Sequence, residues 1–182
     1  PETVSLLTEL LDPNGVRPVN YVKKPADVRS LTILPTAQCN FSCSYCYSAA
    51  GHNGNELDFR HLKVVLDYFI DPGRIAPCDL YISFGGGGEP FLSWEIVRQG
   101  LEYAGDLGKK HGFSLHYSFA SNGSVITDDI LATLLSYHVK ANISFDILPE
   151  IQNLQRRHYD LVARNLDRMV AAGIVPSINT VI

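Results

Sequence analysis

Three of the chain's four cysteines fall within eight residues, in the run Cys39-Asn40-Phe41-Ser42-Cys43-Ser44-Tyr45-Cys46. This C-x3-C-x2-C spacing lets three thiolates wrap one corner of a cuboidal cluster and ligate three irons. Soft thiolates favour iron–sulfur clusters or zinc over hard cations. A full protein set would have four ligands, so one iron would stay open to bind something else. Zinc is the competing reading, because the same sulfurs with His52 or Cys78 would make a tetrahedral site. Structural zinc sites usually come as two paired C-x2-C knuckles, which this is not. Chance clustering of buried cysteines is the third option. A disulfide framework fits poorly, since Cys78 stands alone far downstream within an α/β pattern. A metal site in a reducing compartment, by default the cytoplasm, is the better expectation.

Three further segments carry polar or flexible residues just after strand-like runs. Gly85-Gly86-Gly87-Gly88-Glu89-Pro90 lets main chain approach a neighbour closely and adopt positive φ without steric cost. No Lys-Ser or Lys-Thr follows it, which disfavours a phosphate loop. Ser121-Asn122-Gly123 is by itself a turn. Ile143-Ser144-Phe145-Asp146 closes a fourth apolar run, with Arg156 twelve residues beyond Ser144. The six histidines show no pairing pattern and read as surface or satisfied core residues, with only His52 near the cysteine loop. Cys78 reads as a structural thiol.

The elements that must position these segments follow from periodicity. Leu31 to Leu34 predicts a first strand, and Asp58 to Ile70 a helix with Leu62, Val65, Leu66 and Phe69 on one face. Leu80 to Phe84 is a second strand, and a helix capped by Ser93 runs to about Lys110. Ser114 to Ala120 is a third strand, followed by a helix from about Thr127 to Tyr137. Val139 to Phe145 is a fourth strand, followed by one helix from about Leu154 to Ala172, and Ile174 begins a fifth strand. Strand–helix alternation with short connections implies parallel strands joined by right-handed crossovers, with chemistry gathered at the carboxyl ends. The fold expected is therefore α/β, a partial (β/α) barrel of parallel strands ending after the fifth. The four segments above should meet on one face.

The chain has 182 residues, short for a closed eight-unit barrel of about 250. Residues 1–30 hold the apolar stretch Leu6 to Leu11 and the turn signal Asp12-Pro13-Asn14-Gly15, and read as an N-terminal extension to a core at 31–182. A start at Pro1 and a stop at Ile182 inside an apolar run suggest part of a longer protein. Hydrophobic residues make up 46% and charged residues 19%, an ordinary globular balance. No apolar run is long enough to span a bilayer, so no membrane partner is expected. A net charge of −4 argues against a surface for nucleic acid.

The cysteine run, with Tyr45 before its last cysteine, resembles the signature of the radical S-adenosylmethionine (SAM) superfamily. The resemblance extends from about Leu31 to Ile182 and includes the Gly-Gly-Glu-Pro ending of the glycine run. It implies a 4Fe–4S cluster on Cys39, Cys43 and Cys46, whose open iron chelates S-adenosyl-L-methionine. One electron, from a flavodoxin- or ferredoxin-like donor, would then release a 5′-deoxyadenosyl radical. It also implies that Tyr45, main-chain carbonyls of Gly86, Gly87 and Gly88, the Glu89 carboxylate, Asn122, Ser144 and Arg156 contact SAM. Glu89 is expected at the ammonium, Asn122 near the methionine and ribose, and Arg156 at the carboxylate. Relatives often read Asp-Gly-Pro where this chain has Asp146-Ile147-Leu148-Pro149, so the loop shape there should differ. The Cys-x-x-x-Cys-x-Tyr-Cys-Tyr form and the Ser-x-Asp element look like the peptide- and protein-modifying branch, many of whose members carry a cysteine-rich SPASM domain. That likeness implies a peptide or protein substrate. A small-molecule radical SAM enzyme and a zinc-stabilised binding module without catalysis are the alternatives.

Overall fold

The computed structural model describes residues 24 and 28–181; the expected extension with Leu6 to Leu11 and Asp12-Pro13-Asn14-Gly15 lies outside them. Within that span, β-strands Ser30–Ile33 (β1), Asp79–Phe84 (β2), Ser114–Ser121 (β3), Lys140–Ser144 (β4) and Ser177–Asn179 (β5) form one sheet. All neighbouring pairs are parallel, and the order is β1-β2-β3-β4-β5. Strands laid down in sequence order by crossovers of one hand put their helices on one face, so the sheet curls as a partial barrel does.

The helices are Phe59–Phe69 (α1), Trp94–His111 (α2), Asp128–Ser136 (α3), Pro149–Gln155 (α4) and Tyr159–Ala171 (α5). Each starts and stops for local reasons. Asp58 accepts a hydrogen bond from Arg60 N at the head of α1, and Thr127 accepts one from Ile130 N at the head of α3. Gly112, with φ 77°, ends α2 in the left-handed conformation that glycine adopts cheaply. The apolar stripe Val97, Leu101 and Ala104 of α2 packs on the sheet, where Ile33, Phe84 and Phe119 stand in register on β1, β2 and β3. Leu101 is fully buried, and each such side chain contributes roughly 1.5–3 kcal/mol. The opposite, concave face is different. The row Thr32, Ser83, Ser118 and Lys140 crosses it in register, polar throughout where closed barrels carry Val, Ile and Leu.

Three expectations change. Ser93 makes no side-chain cap for α2; instead Glu89 accepts from Phe91 N and caps the short 3-10 turn Pro90–Ser93. The single helix expected from Leu154 to Ala172 is two, α4 and α5. They are separated by Arg157 and His158, both left-handed at φ 70° and 58°. Such a pair costs on the order of 1–2 kcal/mol per residue. Gln152 offsets it: its Nε2 donates to Arg157 O at 3.0 Å, while its Oε1 accepts from Asp146 N at 2.9 Å. The break turns the chain back at Arg156, the residue that closes α4. β5 is also shorter than the run from Ile174 suggests.

Candidate active site at the carboxyl ends of the strands

The cysteine loop follows β1 and is sewn to the glycine run that follows β2. Gly88 N donates to Thr36 O at 3.1 Å, Glu89 N to Gln38 O at 2.7 Å, and Ser48 Oγ to Gly87 O at 2.7 Å. A Cβ on Gly88 would lie 1.8 Å from Gln38 O, so this glycine is required by the approach of its own chain. Gly85 and Gly86 meet a different need, φ values of 145° and 94°.

Glu89 is 1% exposed. Its Oε1 accepts from Ser121 Oγ at 2.8 Å and Phe91 N at 3.2 Å, and its Oε2 from Asn122 N at 2.7 Å. With no cation among these partners, burial pushes its carboxyl up to about 7. The side chain thus braces the end of β2 against the end of β3. Asn122, braced in this way, donates from Nδ2 to Asn40 Oδ1 at 2.9 Å and faces Cys39 Sγ at 3.9 Å.

A second buried carboxylate, Asp146, follows β4. Its Oδ2 accepts from the Tyr45 hydroxyl at 2.7 Å and pairs with Arg156 Nε at 3.3 Å. Its Oδ1 accepts from Val181 N at 3.1 Å and Thr180 Oγ1 at 3.3 Å. Arg156 Nε also donates to the Tyr45 hydroxyl, its guanidinium lies 5.0 Å over the Tyr45 ring, and its Nη1 reaches Cys43 Sγ at 3.7 Å. Burial and the bond to Asp146 push the Tyr45 phenol up to about 12.

Both networks border one cavity of about 220 Å³ at the carboxyl ends of the strands, with Asp146 behind its wall, bonded to the lining residue Tyr45. Cys39, Cys43, Cys46, Tyr45, Gly86, Gly87, Gly88, Glu89, Asn122, Ser144 and Arg156 all line it, so the expectation that the four segments meet is met in space. His52 is there too, its Nε2 3.8 Å from Cys46 Sγ. Cys78 is not: it precedes β2 at the amino end and packs against the core. The sequence marks Asp146 only as the end of a strand motif and gives no signal for Ser48, Gln152 or Gln155. Gln155 O accepts from Ser44 N at 2.9 Å, which pins the cysteine loop to α4. No local sequence pattern marks Ser48, Asp146 or Gln155, because their partners Gly87, Tyr45 and Ser44 are remote in the chain.

The three loop cysteines are free thiols, each half-buried. Burial pushes the Cys39 and Cys43 thiols up, and the Arg156 guanidinium opposes this at Cys43. Sulfurs desolvated in this way gain from a bound cation that stabilises the thiolate. Among the described residues, no three His, Cys, Asp or Glu side chains are grouped as ligands of a single ion. Thiolates that bind three different irons of a cluster need not converge on one point, and the donor set fits such a cluster by its softness.

A family model described as the radical SAM superfamily matches residues 33–182. The chain belongs to the radical SAM superfamily. The cofactors of that family, a 4Fe–4S cluster and S-adenosylmethionine, are those of this chain. Among curated proteins it is similar to the radical SAM cyclopropyl synthase TigE of Paramaledivibacter caminithermalis, 22% identical over 146 residues, covering 71% of this chain and 29% of the relative. Among solved structures it resembles anSMEcpe with bound AdoMet, at a TM-score of 0.70 and 22% identity, covering 83% of this chain and 42% of that one. It also resembles SuiB of Streptococcus suis bound to the precursor peptide SuiA, at a TM-score of 0.62 and 16% identity, covering 84% and 33%. At these identities the structures show the radical SAM fold. The chain spans less than half the length of each of these relatives. Among the described residues, no helix is long and apolar enough to cross a membrane.

Proposed function

We propose that this radical SAM chain is the core of an enzyme that modifies a peptide or protein by abstracting a hydrogen atom. The observation that carries the reading is one cavity that joins the three-cysteine loop to Gly86–Gly88, Asn122, Ser144 and Arg156, beside an open, polar concave sheet. Cys39, Cys43 and Cys46 hold three irons. When bound, the reduced cluster and SAM supply a 5′-deoxyadenosyl radical. The main chain of Gly86–Gly88 receives the SAM ammonium through its carbonyls, and Tyr45, Ser144 and Asn122 wall the pocket. The Glu89 carboxylate, taken up by three protein donors, acts on SAM through Asn122 rather than directly. Arg156 Nη2, which has no hydrogen-bond acceptor among the described residues, is the arm that meets the SAM carboxylate.

A peptide substrate is supported by the motif form Cys46-Tyr47 and by the likeness to SuiB, solved with its precursor peptide. A polar concave face suits a peptide backbone that must keep its hydrogen bonds during approach. Electrons come from a flavodoxin- or ferredoxin-like donor in the cytoplasm, and neither nucleic acid nor membrane is a partner.

The test is anaerobic. The purified chain should be brown, contain iron and sulfide, and convert SAM to 5′-deoxyadenosine when reduced. Replacing Cys39, Cys43 and Cys46 together by alanine should abolish colour and turnover. A colourless protein with stoichiometric zinc would sink the enzymatic reading. A peptide encoded beside the enzyme should change mass on incubation with SAM and reductant; deoxyadenosine formation with no peptide product would leave the small-molecule alternative.

A further inference from the structure

Each sulfur of the cysteine loop faces a different side chain. Cys39 Sγ has the neutral amide of Asn122 at 3.9 Å, and Cys46 Sγ has His52 Nε2 at 3.8 Å and Ser48 Oγ at 3.9 Å. Cys43 Sγ has the Arg156 guanidinium, with Nη1 at 3.7 Å. Only Arg156 carries a charge that persists at every working pH. Its side chain is 11% exposed, so water screens that charge weakly. Positive charge and hydrogen bonds to cluster sulfurs favour the electron-richer state of an iron–sulfur centre.

The guanidinium is also held in place. Asp146, whose side chain is fully buried, grips Nε at 3.3 Å, and Tyr45 lies under the guanidinium plane while its hydroxyl accepts from the same Nε. Asp146 cannot swing away, because its other oxygen accepts from Val181 N and Thr180 Oγ1, and its backbone N donates to Gln152. The carboxylate therefore ties the chain after β5, the end of β4 and the cysteine loop to one arginine.

We infer that Arg156 raises the reduction potential of the cluster through Cys43, and that Asp146 is the positioning residue that keeps it there. This rests on the reading that the three cysteines hold a 4Fe–4S cluster, and adds a function for Arg156 that needs no SAM. The couple is a one-electron reduction, with dithionite as the reductant in the experiment and the flavodoxin- or ferredoxin-like partner in the cell.

The test is a mediated redox titration of the reconstituted full chain without SAM, followed by electron paramagnetic resonance, with iron and sulfide measured for every sample. Omitting SAM removes any contribution from its carboxylate. Arg156→Gln should retain iron and titrate lower, so that at one applied potential the reduced-to-oxidised ratio falls about tenfold, about 59 mV for one electron. Arg156→Lys, which keeps the charge but loses the fork, should fall between. Asp146→Asn gives the discriminating sign. Removing a negative charge alone would raise the potential, whereas releasing Arg156 lowers it, and the variant should titrate below the unmodified protein. An unchanged or raised potential in Arg156→Gln overturns the inference; if that variant holds no iron, an unchanged or raised potential in Arg156→Lys does so. A raised potential in Asp146→Asn overturns the positioning role. An unmodified chain that takes up no iron overturns the cluster reading and this inference with it.

Discussion

Glu89 and Asp146 are both carboxylates buried at strand ends beside the cysteine loop, 1% and 2% exposed, yet only Asp146 bonds to that loop and faces a cation. Glu89 accepts from one hydroxyl and two backbone N–H groups, all neutral. Asp146 accepts from a phenol, a hydroxyl and a backbone N–H, and pairs with Arg156. Two strand-end braces beside one loop therefore have different weaknesses. The Glu89 brace is sensitive to pH near neutrality, and the Asp146 brace is sensitive to loss of either charged partner.

The largest effect should come from separating the charges. Asp146→Ala leaves the Arg156 guanidinium largely buried without its counter-charge, and should cost about 3–5 kcal/mol in urea denaturation of the metal-free protein. A loss under about 1 kcal/mol would make the two carboxylates equivalent and break the contrast.

Glu89 supplies the pH half of the comparison. Its folded carboxyl titrates near 7, above the ordinary value of 4.5, so the folded state keeps a proton that the unfolded state has already released. Stability should therefore fall as pH rises from about 4.5 to about 7, by about 3 kcal/mol, and level off above. Glu89→Gln should abolish that slope. It should also cost about 1–3 kcal/mol at low pH, because an amide NH₂ cannot accept from Ser121 or Asn122. Urea midpoints of both proteins at several pH values would show parallel curves if Glu89 were not the source.

A third variant tests whether both braces matter only because the loops touch. Gly88→Ala places a methyl 1.8 Å from Gln38 O and must push the cysteine loop off the glycine run, at a cost of about 1–3 kcal/mol and with reduced iron retention. Full iron uptake with unchanged stability would show that the two loops part easily. The smallest effect belongs to the amino end of the sheet. His116 and Asp79 pair there at 2.8 Å while well exposed, and His116→Gln should change stability by less than about 1 kcal/mol. A larger loss would remove the distinction between the two ends of the sheet.

The parts of this fold that were legible in the sequence are those set by near neighbours. The stripe Leu62, Leu66 and Phe69 of α1 and the start of α3 near Thr127 depend on residues within about one turn, so a linear pattern carries them, although Val65, expected on the same face of α1, is 43% exposed. The broken helix at Arg157 was not legible, because the amide that stabilises the break belongs to Gln152 and works only against the end of β4. Glu89 is a related case. Its motif suggests a SAM contact and it lines the cavity, but its burial and its three protein donors depend on β3 lying alongside.

Residue pattern alone carried the alternation of strands and helices and the parallel sheet, and it pointed to three soft ligands, strand-end glycines, Asn122, Ser144 and Arg156 as candidates for one site. Which of these groups brace the loops and which face the cavity depends on how the strands and helices pack. Tyr45 meets Asp146 across 101 positions of chain, and Arg156 meets Cys43 across 113. Such partners are chosen by sheet register and by the turn after α4. Hydrogen bonds form within a narrow window of about 2.5–3.2 Å, and residue spacing along the chain does not encode distances that fine.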